Sequence, residues 1–221
     1  PARHPPARTA LDRLPPHNEW TLTQQVELCQ TPAPPFKEEV RAAEFLRRLQ
    51  ALGLVNGRID AEGNVIAERA GTGPGPRVVL SAHLDTVFPE GTDVTVTRTG
   101  TRFDGPGIGD DCRGLAVLLA TVRAMNEGNV RHAGTLVVVG TVGEEGAGNL
   151  RGVRRLFGDK TAGEVDYFIS VDGTGLGLTH VAVGSHRYRV VFHGPGGHSY
   201  GAFGMPNPIH ALGRAIAYLS E

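Results

Sequence analysis

Four separate stretches of the chain carry ionisable side chains that one site could share: His83-Leu84-Asp85, Asp110-Asp111, Glu144-Glu145 and Asp172. Glu144 and Glu145 follow a β-branched, apolar run, Thr135 to Val139, and sit between Gly143 and Gly146. Buried strands have that composition, and open α/β sheets carry their chemistry just past the carboxyl ends of such strands. His83 and Asp85 stand in the same relation to the run Arg77 to Ala82, and Asp172 to the run Tyr167 to Val171. Adjacent glutamates suit a division of labour, one gripping a metal ion while the other moves a proton. His83 and Asp85 are two apart, so on an extended segment both side chains point the same way. That fits an imidazole ligand with a supporting carboxylate.

Electrostatics favours a metal over a bare carboxylate cluster. Two carboxylates about 4 Å apart repel by about 4 kcal/mol at an effective dielectric near 20. Three or more in one cleft would raise their pKa values or push the loops apart, and divalent cations remove that difficulty. A carboxylate bridging two ions is a recurring solution for hydrolysis. His, Asp and Glu without thiolate suit Zn²⁺, with Mn²⁺ and Co²⁺ tolerated. Each residue alone has a plainer reading. A strand histidine can be a satisfied core residue, and Asp172 before Gly173 can be a turn residue. Asp110-Asp111 before a helix also fits an N-cap and a dipole partner. Gly105-x-Gly107-x-x breaks the dinucleotide pattern, because Asp110 stands where the third glycine belongs and would repel phosphate.

The elements that must position these groups follow from periodicity. Helices are predicted from Asn18 to Leu28, from Pro34-Pro35 to Gly53, from Gly114 to Met125, from Asn149 to Phe157 and from Pro208 to Ser220. In the second, Phe36, Val40, Ala43, Leu46 and Leu49 form the apolar face. In the last, Ile209, Leu212, Ile216 and Leu219 are expected to be buried. Hairpins turn at Ala61-Glu62-Gly63-Asn64 and at Gly100. Tyr167 to Val171 reads as a buried strand and Arg187 to Phe192 as a half-exposed one. Residues 1–16, rich in Pro and Arg, form an irregular lead-in; a catalytic domain spans 17–183 and a second domain begins at 184 and runs to 221.

Length and composition narrow the classes. At 221 residues and 40% hydrophobic content the chain fills one core and part of another. A net charge of −1 provides no basic field for nucleic acid. No apolar run reaches membrane-spanning length and the start has no signal-type core, so no membrane role is expected. Cys29 and Cys112 fit no CxxC pattern, which suggests reduced thiols in the cytoplasm. The 31 glycines follow no period, against collagen-like or solenoid readings.

Ser81-Ala82-His83-Leu84-Asp85-Thr86-Val87, Gly109-Asp110-Asp111 with Gly114-Leu115-Ala116, Gly143-Glu144-Glu145-Gly146 and Val171-Asp172-Gly173 resemble, in order and spacing, the co-catalytic di-zinc exopeptidase and deacylase family. That family includes peptidase T, glutamate carboxypeptidase, acetylornithine deacetylase and the cytosolic dipeptidases. The resemblance covers about residues 20–221. It implies an α/β fold, a mixed and largely parallel sheet flanked by helices, followed by the start of a small α/β lid or dimerisation domain. It assigns His83 and Asp172 to one zinc, Glu145 to the other, Asp110 as the bridge, Glu144 as general base and Asp85 as support for His83. It also implies a cis peptide at Asp110–Asp111, and a role for His198 in polarising the substrate carbonyl across a homodimer.

The implied reaction is hydrolysis of an amide bond in a small peptide or N-acyl amino acid, by a water held between two Zn²⁺ ions. Aspartate at the position of Asp172 goes more with aminopeptidases in the family, which points to a tripeptidase-like enzyme; deacylases and carboxypeptidases are the alternative. Relatives continue past the lid and supply a further histidine ligand. None of His4, His17, His132, His180, His186, His193 or His210 lies in a matching context. The expectation is therefore an N-terminal fragment or a shortened gene product. Such a chain would be a catalytically impaired metal-binding protein that forms oligomers or pairs with the missing segment.

Overall fold

The computed structural model describes residues 4–173 and 175–220. The chain divides into two compact units, Pro1–Leu176 and Gly177–Glu221.

The first unit is built on a five-stranded sheet in the order β1-β2-β6-β3-β7. Its strands are β1 (Val55–Ile59), β2 (Val65–Ala70), β3 (Arg77–His83), β6 (Thr135–Thr141) and β7 (Tyr167–Ser170). β4 (Thr97–Thr99) and β5 (Arg102–Asp104) form a separate antiparallel hairpin. β1 pairs with β2, and β2 with β6, antiparallel, whereas β3 runs parallel to both β6 and β7. The sheet is mixed, and its parallel half is the half that matters for the site.

Side chains alternate between the two faces, as period-2 geometry requires. On one face Val65, Ala67, Ala82, Leu136 and Val138 pack with Leu28 of α2 (Asn18–Cys29), Phe45 and Leu49 of α3 (Glu39–Ala51), and Leu115, Leu118, Leu119 and Val122 of α4 (Cys112–Glu127). On the other face Ile66, Val79, Val137 and Val139 pack with Leu156 of α5 (Arg151–Gly158). Helices thus cover both faces, and each fully buried Leu or Val there contributes about 1.5–3 kcal/mol.

Several expectations need correction. The lead-in is not irregular: Pro5–Arg13 is a helix, α1, followed by a 3₁₀ turn at Pro15–His17. Proline is tolerated in the first helical turn, an Arg8–Asp12 pair one turn apart supports the helix, and Ala10 is buried. α3 begins at Glu39 rather than at Pro34-Pro35. Lys37 N–H bonds back to Pro34 in a turn, and Phe36 takes a left-handed conformation (φ 65°) with its N–H on the Glu38 carboxylate. Its inward face is Arg41, Ala42, Phe45, Arg48 and Leu49, while Phe36 and Val40 are exposed. β7 is an exposed edge strand and not a buried one, because β3 is its one partner among the described residues; Tyr167 is 62% and Ile169 46% exposed.

In the second unit, Arg187 to Phe192 forms no strand. α6 (Pro208–Leu219) forms where expected, capped by the Asn207 side chain on Ile209 N–H. Its apolar residues Ile209, Leu212, Ile216 and Leu219 are exposed rather than buried, since no described sheet packs against them. No described helix is long and apolar enough to cross a membrane.

Candidate metal centre

The parallel strands β3, β6 and β7 deliver their carboxyl ends to one edge of the sheet. His83 is the last residue of β3 and pairs in register with Thr141, the last of β6. Val171 N–H bonds to Ser81 C=O at 2.8 Å, which carries the β7 pairing one step further and leaves Asp172 just beyond it. Two clusters result. His83, Glu144 and Glu145 each offer a ligand atom within 4.8 Å of the others, and so do His83, Asp111 and Asp172.

His83 is buried (3% exposed), and its ring is oriented at both nitrogens. Nδ1 lies 2.9 Å from the Asp85 carbonyl oxygen and 3.7 Å from an Asp85 carboxylate oxygen. A carbonyl can only accept, so Nδ1 carries a proton and Nε2 is the nitrogen that faces the cluster. Nε2 faces Asp110 Oδ1 at 2.8 Å. The Asp110 side chain is 61% exposed at the rim, and the Asp110–Asp111 peptide is cis.

Asp111 has a different task from Asp110. Fully buried, it accepts Gly114 N–H at 2.9 Å as the N-cap of α4 and His83 N–H at 3.0 Å through its other oxygen. With both oxygens turned to backbone donors it holds the end of β3 against the start of α4. A side chain at position 114 would overlap the Asp111 carboxylate, which explains the glycine there. The N-cap reading thus applies to Asp111, leaving Asp110 free to face His83.

Asp85 is also buried (1% exposed). One of its oxygens accepts Glu144 N–H at 3.2 Å and the other accepts Glu145 N–H at 2.9 Å. Its carboxylate holds the glutamate loop more closely than it holds the His83 ring. Burial alone would raise its pKa, but His83 and these two N–H groups bring it below the usual range.

The charge balance calls for a cation. Burial raises the Glu144 carboxyl, aided by Asp172, Asp85 and Asp110; burial raises Glu145 as well, aided by Asp110 and Glu144. Burial alone would lower the His83 imidazolium, yet Asp85, Asp111 and Asp110 raise it to about 10. Burial pushes Asp111 up to about 8. A group of carboxylates and one imidazole that would otherwise hold protons is what a divalent cation stabilises. The donor set of imidazole and carboxylate fits Zn²⁺, Mn²⁺ or Co²⁺. His198 belongs to the second unit, where its Nδ1 accepts the N–H groups of Tyr200 and Gly201 at 3.2 and 3.3 Å.

Three supporting residues escape motif reading. Arg41 is a buried cation (1% exposed) that donates to the carbonyls of Leu84 at 2.7 Å, Thr31 at 2.8 Å and Cys29 at 3.3 Å. It fixes the peptide between His83 and Asp85, and the signal is a cation in the helical phase of Phe45 and Leu49. Asn64, fully buried, accepts Val142 N–H and donates to Gly152 C=O, tying the β1–β2 turn to the end of β6. Arg151 packs against Gly143 and reaches Glu38 and Glu62.

Among curated proteins, the chain is 33% identical over 140 residues to carboxypeptidase G2 of Pseudomonas sp. (strain RS-16), covering 62% of this chain and 32% of that one. It is 30% identical over 155 residues to a probable succinyl-diaminopimelate desuccinylase of Staphylococcus aureus (strain Mu50), covering 67% and 38%. The chain therefore spans about a third of the length of the curated relatives it matches. Among solved structures, a tripeptidase from S. aureus superposes with a TM-score of 0.60 at 24% identity, over 70% of this chain and 43% of that one. The dipeptidase Dug1p from Saccharomyces cerevisiae superposes at 0.68 with 15% identity, over 95% and 52%. The profile of Peptidase family M20/M25/M40 matches residues 79–216, more than half of the sequence and every loop of the metal cluster, and the chain belongs to that family.

Proposed function

We propose that the protein is a metal-dependent hydrolase of amide bonds in small peptides or amino-acid derivatives. The observation that carries this reading is the convergence of His83 with Glu144 and Glu145 within 4.8 Å at the edge of the parallel strands. In this reading His83, Asp110, Glu145 and Asp172 hold two divalent ions, Zn²⁺ by preference, with Mn²⁺ or Co²⁺ able to replace it. The ions supply Lewis-acid polarisation and a more acidic water.

The protein's own groups do the rest. Glu144 lies on the loop beside His83, and partial burial with the charges of Asp172, Asp85 and Asp110 raises its carboxyl above its ordinary value, which suits a general base. It takes the proton of the attacking water and returns it to the leaving amine. Asp85 fixes the loop on which Glu144 rides. His198 accepts two N–H groups at Nδ1, which leaves Nε2 as the nitrogen that would donate a hydrogen bond to a substrate carbonyl. That step takes place across a homodimer in the reading given by family resemblance.

Within the family two substrate classes compete. Asp172 speaks for a tripeptidase-like aminopeptidase. The relatives at 33% and 30% identity are named a carboxypeptidase and a desuccinylase, and these alignments span far more of the chain than one residue. We favour the carboxypeptidase or deacylase side for that reason. The two free, buried cysteines accord with a reducing compartment such as the cytoplasm.

The test is turnover by the zinc-loaded protein at its natural length, on free-amine tripeptides, N-acyl amino acids and peptides with a blocked amino terminus. Zinc-dependent cleavage of the latter two is expected. Cleavage confined to free-amine tripeptides would return the assignment to an aminopeptidase. No metal-dependent turnover on any of them would refute the hydrolase reading.

A further inference from the structure

The loop carrying Glu144 and Glu145 is held from behind by an ionic clamp outside the metal cluster. Arg151, the first residue of α5, donates through Nη2 to both carboxylate oxygens of Glu38 at 2.7 Å. Its Nε faces Glu62 Oε1 at 3.1 Å, and its guanidinium lies 4.8 Å from the Phe36 ring centre. Three parts of the chain thus meet on one side chain: the turn before α3, the β1–β2 hairpin and the start of α5.

The clamp bears directly on the glutamate loop. Gly143 has a left-handed backbone (φ 68°), and a Cβ there would overlap the Arg151 side chain. The guanidinium fills the place where other residues would carry a side chain. On the opposite side Gly148 packs against the Gly143 backbone, and Gly152 N–H bonds to Val142 C=O at 3.0 Å. Glu38 is 5% exposed, so its charge has little water and Arg151 is its bidentate partner. A neutral side chain at 151 would leave that carboxylate buried without its cation.

We infer that Arg151 is a positioning residue: by joining Glu38 and Glu62 behind Gly143, it sets the backbone from which Glu144 and Glu145 reach the metal. The effect on metal binding rests on the hydrolase reading above, whereas the effect on the loop does not. Arginine is required and not merely a positive charge, because its planar fork engages Glu38 and Glu62 together.

The experiment compares wild type, Arg151→Ala and Arg151→Lys by amide hydrogen exchange in the metal-free chain and by zinc titration. In wild type the Glu144 and Glu145 amides are protected by Asp85. In Arg151→Ala they should exchange at least about 10-fold faster, with the amides of Leu118, Leu119 and Val122 unchanged. Zinc affinity should fall by about 10-fold or more, with Arg151→Lys in between. If Arg151→Ala accelerates exchange throughout the unit, Glu62→Gln, which breaks one arm at a more exposed carboxylate, decides by the same criterion. Unchanged Glu144 and Glu145 exchange in the deciding variant overturns the positioning role. A wild type that binds no zinc overturns the metal reading, and the exchange comparison still decides the role of Arg151.

Discussion

Asp85 accepts the backbone N–H of Glu145 at 2.9 Å through one carboxylate oxygen and that of Glu144 at 3.2 Å through the other. A residue expected to support a histidine therefore also fixes the two glutamates opposite that histidine. His83 Nδ1 takes the Asp85 carbonyl at 2.9 Å, so one residue orients the imidazole with its backbone and the glutamate loop with its side chain. Replacing Asp85 by Ala should cost more than removing an ordinary outer partner. Zinc affinity, measured by competition with a chromophoric chelator, should fall by about 10–100-fold in Asp85→Ala. Asp85→Asn retains one acceptor oxygen and should lose less. Wild-type affinity in Asp85→Ala would show that the loop is held by other contacts.

Arg41 supplies a second test of how the β3 end is held. Its guanidinium serves three carbonyls and is 1% exposed. Arg41→Met keeps much of the volume but removes the donors, leaving the Leu84, Thr31 and Cys29 carbonyls with fewer partners. Each buried polar group left unpaired costs about 1–3 kcal/mol. Urea unfolding should show a loss of at least about 2 kcal/mol, below the simple sum because carbonyls can recruit water. A loss under about 0.5 kcal/mol, the range of ordinary surface changes, would contradict the assignment.

Acid stability tests a site away from the cluster. Glu44 is held down to about 2 by Arg47, against the opposing effect of burial, with Arg48 adding to the depression. Its folded pKa lies below its ordinary value, so the stability it contributes is present above about 4.5 and is lost as pH falls through about 2. Arg47 stands in water and Glu44 is partly exposed, so screening limits the worth of the pair to about 1 kcal/mol or less. The melting temperature of wild type should exceed that of Glu44→Ala near pH 6 and converge with it near pH 2. A gap that persists at pH 2 would place the cause in packing instead.

Much of the first unit was legible because its signals are local. The apolar runs of β3 and β6, the turn between β1 and β2 and the spacing of Leu115, Leu118 and Val122 in α4 each need one stretch of sequence to be seen. His83, Glu144, Glu145 and Asp172 stood out for the same reason, lying at or just past the end of a strand, whereas Asp110 precedes a helix. What escaped depends on contacts made across the fold. Arg41 escaped because the three carbonyls that receive it lie in other segments of the chain. Pro34-Pro35 looked like a helix start, but the bond from Phe36 N–H to Glu38 and the turn at Lys37 delay the helix to Glu39. Asp110-Asp111 as a pair also read as an N-cap and a dipole partner, and the backbone donors Gly114 and His83 identify Asp111 as the cap. For β7 and α6 the composition was apolar, yet burial needs a partner surface, which composition alone does not specify.

The division of labour between Glu144 and Glu145 is the sharpest test of the site. Both carboxyls lie within 4.8 Å of His83, and among the described residues the Glu144 carboxyl makes no hydrogen bond to the backbone. Glu144→Gln removes a proton acceptor but keeps the side-chain shape. It should leave zinc content near that of wild type and lower kcat by at least about 10²-fold in the protein at its natural length, as loss of a general base implies. Glu145→Gln exchanges a charged ligand for a neutral amide and should lower bound zinc, measured by elemental analysis after dialysis. Asp110→Ala should lower it too, if Asp110 bridges the ions. The reverse pattern, with zinc lost in Glu144→Gln and kept in Glu145→Gln, would exchange the two roles. Equal zinc content in wild type and Asp110→Ala would remove Asp110 as the bridge and leave the Glu144 assignment standing, because the two rest on different contacts.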